Sequence, residues 1–214
     1  MIKKNKMLII VTSIITILPI LAGIFLWDSL PDIMATHFGT SGEANGWSSR
    51  AMAVFGIPLV ILAAHLLCAF CVALDPKRRN ISEKMYLLML WICPFCSITV
   101  GIFTYYRSLG WSMDIMLAGS LILGVIFVTI GNYLPKSRLN YSVGYKLPWT
   151  LSDEDNWNKT HRLAGWLWVA GGLVLLANMY LKNMLVIIIV TATVTVIPVI
   201  YSIIYYLKRK NAEG

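Results

Sequence analysis

Charge is what this chain has least of. Of its 214 residues, 18 are Lys or Arg and 10 are Asp or Glu, so charged residues make up 13%. Soluble domains carry about a quarter. Hydrophobic residues reach 58% and the mean hydropathy is +0.72. One core of this size cannot bury that much apolar surface. Disorder, a coiled coil and an ordinary globular enzyme are thereby excluded, and the bilayer is left as solvent. No Lys/Arg block is dense enough for nucleic acid, so direct nucleic-acid binding is not expected. The net charge of +8 is assigned to loops that set topology and touch anionic headgroups. No nucleophile, base and orienting group are recognisable together. The chain is therefore expected not to be an enzyme and to need no cofactor.

What is present is a series of six apolar spans, at 7–27, 51–74, 85–106, 115–133, 163–181 and 184–207. Each is near the ~20 residues that cross a bilayer as a helix. Lys182-Asn183 is the turn between the last two. The first span follows Lys3, Lys4 and Lys6 as a signal peptide would, but it exceeds the usual apolar stretch of ~7–15 residues and no cleavage site follows, so it reads as a retained helix. With the N-terminus inside, fifteen basic residues fall on inner segments. Only Arg50, Arg107 and Lys182 fall outside. Both termini are accordingly expected in the cytoplasm. Trp27, Tyr105, Tyr106, Trp111 and Tyr180 flank the outer ends; Tyr133, Trp149, Trp157, Tyr205 and Tyr206 flank the inner ends.

None of the ten acids lies within a span. Ion-coupled carriers usually place such groups at mid-membrane, so their absence counts against that class. Pro19, Pro58, Pro94 and Pro198 read as helix kinks. Ser97-x-x-x-Gly101 and Ser120-x-x-x-Gly124 would let helices approach closely, within one chain or between chains. Cys68-x-x-Cys71 and Cys93-x-x-Cys96 have the spacing of a zinc site. His65, Cys68, Cys93 and Cys96 fall at similar depth on spans 2 and 3. The better reading is small buried hydrophobes at a helix interface, because a thiolate in hydrocarbon needs a metal to offset its burial. No disulfide is expected toward the reducing cytoplasm.

Two loops are too long to be connectors alone. In the external loop, 28–50, Pro31 opens an extended stretch. Ser41-Gly42 and Asn45-Gly46 are turn dipeptides. A short hairpin or compact loop is expected, with His37, Phe38 and Trp47 as a small aromatic platform that either caps the interface or binds a ligand. In the internal loop, 134–162, Pro135 stops the preceding helix and Pro148 holds Leu147 extended. Ser152 is the expected N-cap of a short interfacial helix, with Asp155 completing a capping box. Asp153, Glu154 and Asp155 suit its first turn. His161 reads as a packing or hydrogen-bonding residue rather than a general base.

Both loops carry a resemblance. Leu30-Pro31, His37-Phe38, Gly42 and Gly46-Trp47 resemble the N-terminal domain of unknown function found in SdpI-type bacterial membrane proteins. Gly131-Asn132, Leu134-Pro135-Lys136, Asn140, Gly144, Pro148-Trp149-Thr150-Leu151, Trp157 and Thr160-His161-Arg162 resemble the SdpI family signature. The family usually has Ile-Arg-Thr after that Gly, where this chain has Tyr145-Lys146-Leu147, and Lys cannot reproduce the bidentate fork of Arg.

The resemblance implies an all-α integral membrane protein with six transmembrane helices in the bacterial plasma membrane. It is expected as a single polytopic unit, with a helix pair and external loop over 7–74 and a four-helix region over 85–214. It implies an immunity protein against a secreted membrane-active toxin of the sporulation-delaying, or cannibalism, type. It also implies signalling, in which a cytoplasmic ArsR-type autorepressor is held at the membrane. Pro31, His37, Phe38, Gly42 and Trp47 would then meet toxin. Asn132, Asn140, Gly144, Pro148, Trp149, Thr150, Trp157, Thr160, His161 and Arg162 would form the cytoplasmic signalling motif. The principal rival is a transporter of a peptide or small hydrophobic molecule, its path lined by His65, Asn132, Asn178 and Thr191.

Overall fold

The computed structural model describes residues 4–111 and 114–213; Lys3 of the N-terminal basic group lies outside them. All six expected spans are helices long and apolar enough to cross a membrane. They are α1 (Lys6–Phe25), α2 (Ile57–Leu74), α3 (Glu83–Ser108), α4 (Ile115–Tyr133), α6 (Glu154–Leu181) and α7 (Met184–Glu213), with a five-residue helix, α5 (Pro148–Ser152), before α6. Large apolar side chains such as Leu21, Leu67, Trp166 and Ile189 stand more than 60% exposed, as expected of faces solvated by lipid rather than water.

Strands β1 (Ile33–Phe38) and β2 (Ala44–Ser49) pair antiparallel as a two-stranded sheet, so among the described residues this hairpin is the one departure from a helical fold. Its reversal differs from the sequence expectation. The turn is Gly39–Glu43, closed by Gly39 N–H to the Glu43 carbonyl and by Gly42 N–H to the Gly39 carbonyl. Gly42 supplies the positive φ of +81°. Asn45-Gly46 lies within β2 instead. There Gly46 faces His37, and a Cβ at Gly46 would come 2.8 Å from the His37 Cβ. The glycine serves strand approach at a bulge.

The prolines are accommodated in different ways. A π-helical turn, Met52–Gly56, runs into α2, with Ile57 N–H bonded to the Met52 carbonyl five residues back, immediately before Pro58. Pro198 lies inside α7 and removes the donor that would reach the Val194 carbonyl. A hydroxyl from another segment takes that place, as described below.

The Lys182-Asn183 turn is held by Asn178. Its carboxamide donates to the Asn183 carbonyl (3.1 Å) and to Ser120 (3.0 Å), and accepts from Asn183 N–H (3.2 Å). Ser97 donates to the Thr16 carbonyl at 2.6 Å, and a Cβ at Gly101 would meet Pro19 at 2.8 Å. Both small-residue pairs thus pack within this chain.

Packing divides the chain into two compact units. The first takes the described residues up to Phe70, with Met89–Ile122 and Asn178–Met184; the second takes Cys71–Leu88, Leu123–Ala177 and Leu185 onward. In the first, Leu30, Met34, Ala53, Val54 and Tyr105 form a buried core on which Leu26, Trp27, Phe55 and Leu109 pack. Tyr105 is therefore not an interfacial flank: its hydroxyl donates to the Pro19 carbonyl at 2.8 Å, where the proline-bearing helix offers an acceptor. In the second, α4 and α6 cross at glycines. A Cβ at Gly172 would lie 2.8 Å from the Gly124 carbonyl, and one at Gly165 would lie 2.9 Å from the Gly131 carbonyl. These pairs are spaced seven residues on each helix, two turns, so one seam brings backbone to backbone twice.

Candidate functional site

The hairpin loop of the first unit is clasped at its base by Arg50. Its guanidinium donates to the Trp27 carbonyl (2.9 Å) and the Pro31 carbonyl (3.3 Å), pairs with Asp32, and lies 5.1 Å over the Trp27 ring. The sequence marks Arg50 only as a topology charge. Replacing Arg50 with Ala is expected to leave the Trp27 carbonyl without that donor and to cost about 1–2 kcal/mol. Limited proteolysis should then cut within 28–50 several-fold faster than in the unchanged protein, and equal rates would remove the clasp. The exposed Asp32 pair contributes little of this.

The expected platform residues serve separate tasks. His37 Nδ1 bonds the Asn45 side chain at 2.6 Å, and Arg107 sits 5.6 Å over the Phe38 ring. Gly42 makes the turn. Pro31 and Trp47 line a cavity of about 460 Å³ with Ile33, Met34, Ala35, Arg107, Ser108, Gly110 and Trp111. Trp47 and Trp111 are 60% and 59% exposed. A hairpin face and the end of α3 thus form a cleft with two indoles and one cation at its wall, suited to an amphipathic ligand.

The long loop of the second unit is a buried polar network. Tyr145 N–H donates to His161 Nε2 at 3.0 Å, so the ring's proton is on Nδ1, which donates to the Trp157 carbonyl at 2.8 Å. His161 stacks on Trp157 (centroids 3.9 Å apart), and the Trp157 indole donates to the Ser137 carbonyl at 2.7 Å. Trp157 is wholly buried and is not the interfacial flank expected of it. Gly144 has a φ of +113° and lies directly against the imidazole. Thr150 donates to the Tyr145 carbonyl (2.6 Å) and accepts from Leu147 N–H (3.0 Å).

Pro148 opens α5, with Leu147 extended as expected. Ser152 is not the cap of the next helix, because its hydroxyl turns back toward the Trp149 carbonyl. Asp153 caps α6 through Asp155 N–H (2.9 Å) and Asn156 N–H (3.3 Å); a carboxylate at that end also suits the helix dipole. The helix starting there runs unbroken into the membrane span, so 154–162 is not a separate interfacial helix.

Two partners of this loop escaped the sequence reading. Asp75, 3% exposed, accepts from Lys77 N–H, Tyr141 N–H and the Ser142 hydroxyl. Asn140 is wholly buried and receives Ser142 and Val143 N–H. The other is α7. The Tyr145 hydroxyl donates to the Val194 carbonyl at 2.5 Å and accepts from the Trp168 indole at 2.7 Å. Trp149 donates to Ser202 (2.9 Å), Asn156 donates to the Ser202 carbonyl (3.0 Å), and Thr160 bonds Asn156 (2.9 Å). Most of the motif therefore builds scaffold, whereas Asn132 and Arg162 stand exposed beside a groove.

Burial pushes the Tyr145 hydroxyl above its ordinary value of 10, with the Trp168 bond opposing. A raised folded value means its contribution is complete below about pH 10 and is lost as pH rises through that value. The melting-temperature advantage of the unchanged protein over Tyr145→Phe should therefore hold constant up to about pH 10 and shrink above it. A difference that stays constant above it would remove the ionisable donor from the account.

His65 is buried and its Nε2 lies 3.0 Å from the Thr12 hydroxyl. The four cysteines are free thiols: Cys68 and Cys71 are exposed, Cys93 and Cys96 half-buried. Among the described residues no group of three or more His, Cys, Asp or Glu is placed to hold a metal.

Six spanning helices, a clasped hairpin and a motif-built loop define an integral, multi-pass membrane protein. Residues 136–202 match the SdpI/YfhL protein family and residues 14–62 match a domain of unknown function (DUF1648). The chain is a multi-pass bacterial membrane protein. It is 25% identical over 217 residues to Immunity protein SdpI of Bacillus subtilis (strain 168), covering 99% of each chain. No solved structure matches it.

Proposed function

We propose that this chain is an immunity protein that protects a bacterium against a secreted, membrane-active toxin peptide of the sporulation-delaying type. The observation that carries this is the end-to-end similarity to an immunity protein, which takes in both the hairpin domain and the long loop. The basic-residue bias supports cytoplasmic termini and an outward-facing hairpin. The cleft of Trp47, Trp111 and Arg107 then meets peptide arriving from outside, and capture there needs no catalysis. On the opposite side, Arg138, Tyr141 and Lys146 of the long loop are exposed and offer a basic, aromatic surface to an ArsR-type repressor. Signalling through it requires two states of the protein, biased by bound toxin.

The test is survival. A toxin-sensitive bacterium expressing this chain is challenged with the sporulation-delaying peptide and with unrelated membrane-active peptides. Selective survival is expected, and it should be lost in a Trp47→Ala, Trp111→Ala double variant that still reaches the membrane. Unspecific survival would replace immunity by export or a general envelope effect. Protection that persists after replacement of the whole hairpin loop, without measurable toxin binding, would overturn the reading.

A further inference from the structure

A second cavity, about 590 Å³, opens on the surface of the second unit between the end of α4 and the first turns of α6. Gly131, Asn132, Pro135 and Lys136 line one wall; Asn158, Arg162, Gly165, Trp166 and Val169 line the other. We propose that this groove is a binding site for one anionic phospholipid, with the phosphate between Lys136 and Arg162 and an acyl chain along Gly165, Trp166 and Val169.

Three observations carry this. The groove is divided along its length. Lys136, Asn158 and Arg162 lie at the end where both helices leave their apolar stretches, and Gly165, Trp166 and Val169 lie on the apolar part of α6. An amphiphile fits such a division, whereas a free phosphate would fill the polar end alone. The charge is of one sign: among the described residues the lining has two cations, two carboxamides and no acid. A guanidinium and an ammonium with neutral donors beside them recognise a phosphodiester. Finally, Trp166 is 73% exposed in a spanning helix, and an indole there offers a flat apolar wall to a lipid chain.

The close glycine crossing shapes the site. Because Gly131 and Gly165 meet backbone to backbone, with the Pro135 ring packed against Gly165, the groove floor is main chain and a proline ring with no long side chain across it. Lys136 is positioned beside it with its ammonium 5.1 Å over the Tyr133 ring. The inference is independent of the immunity reading and of which leaflet the groove faces.

The test is lipid titration of the purified, delipidated full-length protein by native mass spectrometry, with phosphatidylglycerol and phosphatidylcholine in separate arms. One tight phosphatidylglycerol site is expected. It should weaken roughly 30-fold in Lys136→Gln/Arg162→Gln and survive in Lys136→Arg/Arg162→Lys, which also checks folding. A Lys208→Gln/Lys210→Gln variant, with the same change of net charge elsewhere, should bind as the unchanged protein does. Inorganic phosphate in the millimolar range should not compete. Equal binding of phosphatidylcholine, equal loss in the Lys208/Lys210 variant, full competition by phosphate, or unchanged affinity in the glutamine variant would each overturn the site.

Discussion

Gly144→Ala is expected to destabilise the protein by about 3 kcal/mol or more, from a single added methyl. The methyl would overlap His161 Nε2 and lie 2.9 Å from its Cδ2. The ring cannot retreat freely, because it is stacked on Trp157 and bonded at both nitrogens. Moving it strands the Tyr145 N–H, at about 1–3 kcal/mol for a buried unsatisfied group. The positive φ adds about 1 kcal/mol for any side chain. Unfolding of the detergent-solubilised protein measures the sum. A double-mutant cycle isolates the cause: with His161→Ala already in place, Gly144→Ala should cost only the backbone penalty of about 1 kcal/mol. An undiminished cost in that background would mean that the imidazole is not what the glycine accommodates.

The second large effect belongs to the seam between α4 and α6. Gly131→Leu should separate the helices and destabilise by about 3 kcal/mol or more. A Cβ at Gly131 would lie 2.8 Å from the Val169 backbone nitrogen and 2.7 Å from the Trp168 Cβ. Atoms fixed to the main chain cannot turn aside by a change of rotamer. Gly110 is the control. It too has a positive φ, of +85°, but nothing lies within 4 Å of a Cβ there, so Gly110→Ala should cost about 1 kcal/mol. Comparable thermal shifts in the two variants would show that the close crossing is not a source of stability.

The spans were legible because lipid imposes one requirement, an apolar stretch long enough to cross, and imposes it on every helix alike. What surrounds the spans was less legible, since each error exchanged one local role for another available to the same residue. Asn45-Gly46 is a turn dipeptide that Gly39–Glu43 displaced, and the glycine was needed instead opposite His37. Ser152 and Asp153 are both N-cap residues one position apart, and the carboxylate prevailed. Tyr105 and Trp157 sit where aromatic belts form, yet each reaches a carbonyl that only the folded chain places beside it. Arg50 and Asp75 bind main-chain groups far along the sequence, which no spacing rule announces. The seven-residue glycine repeat, 124 and 131 against 165 and 172, is written in the sequence, but only the folded chain shows that the two pairs face each other.

The Tyr145 hydroxyl occupies the carbonyl left bare by Pro198. An isoleucine at 145 could not do so. The two positions therefore form a linked pair: once Pro198→Ala restores the main-chain donor, Tyr145→Phe should cost less than it does beside the proline. A loop moved without the last helix would carry only half of that pair. Chimeras should fold best when both positions are exchanged together, so the boundary of a transplantable segment runs through the last helix as well as the loop.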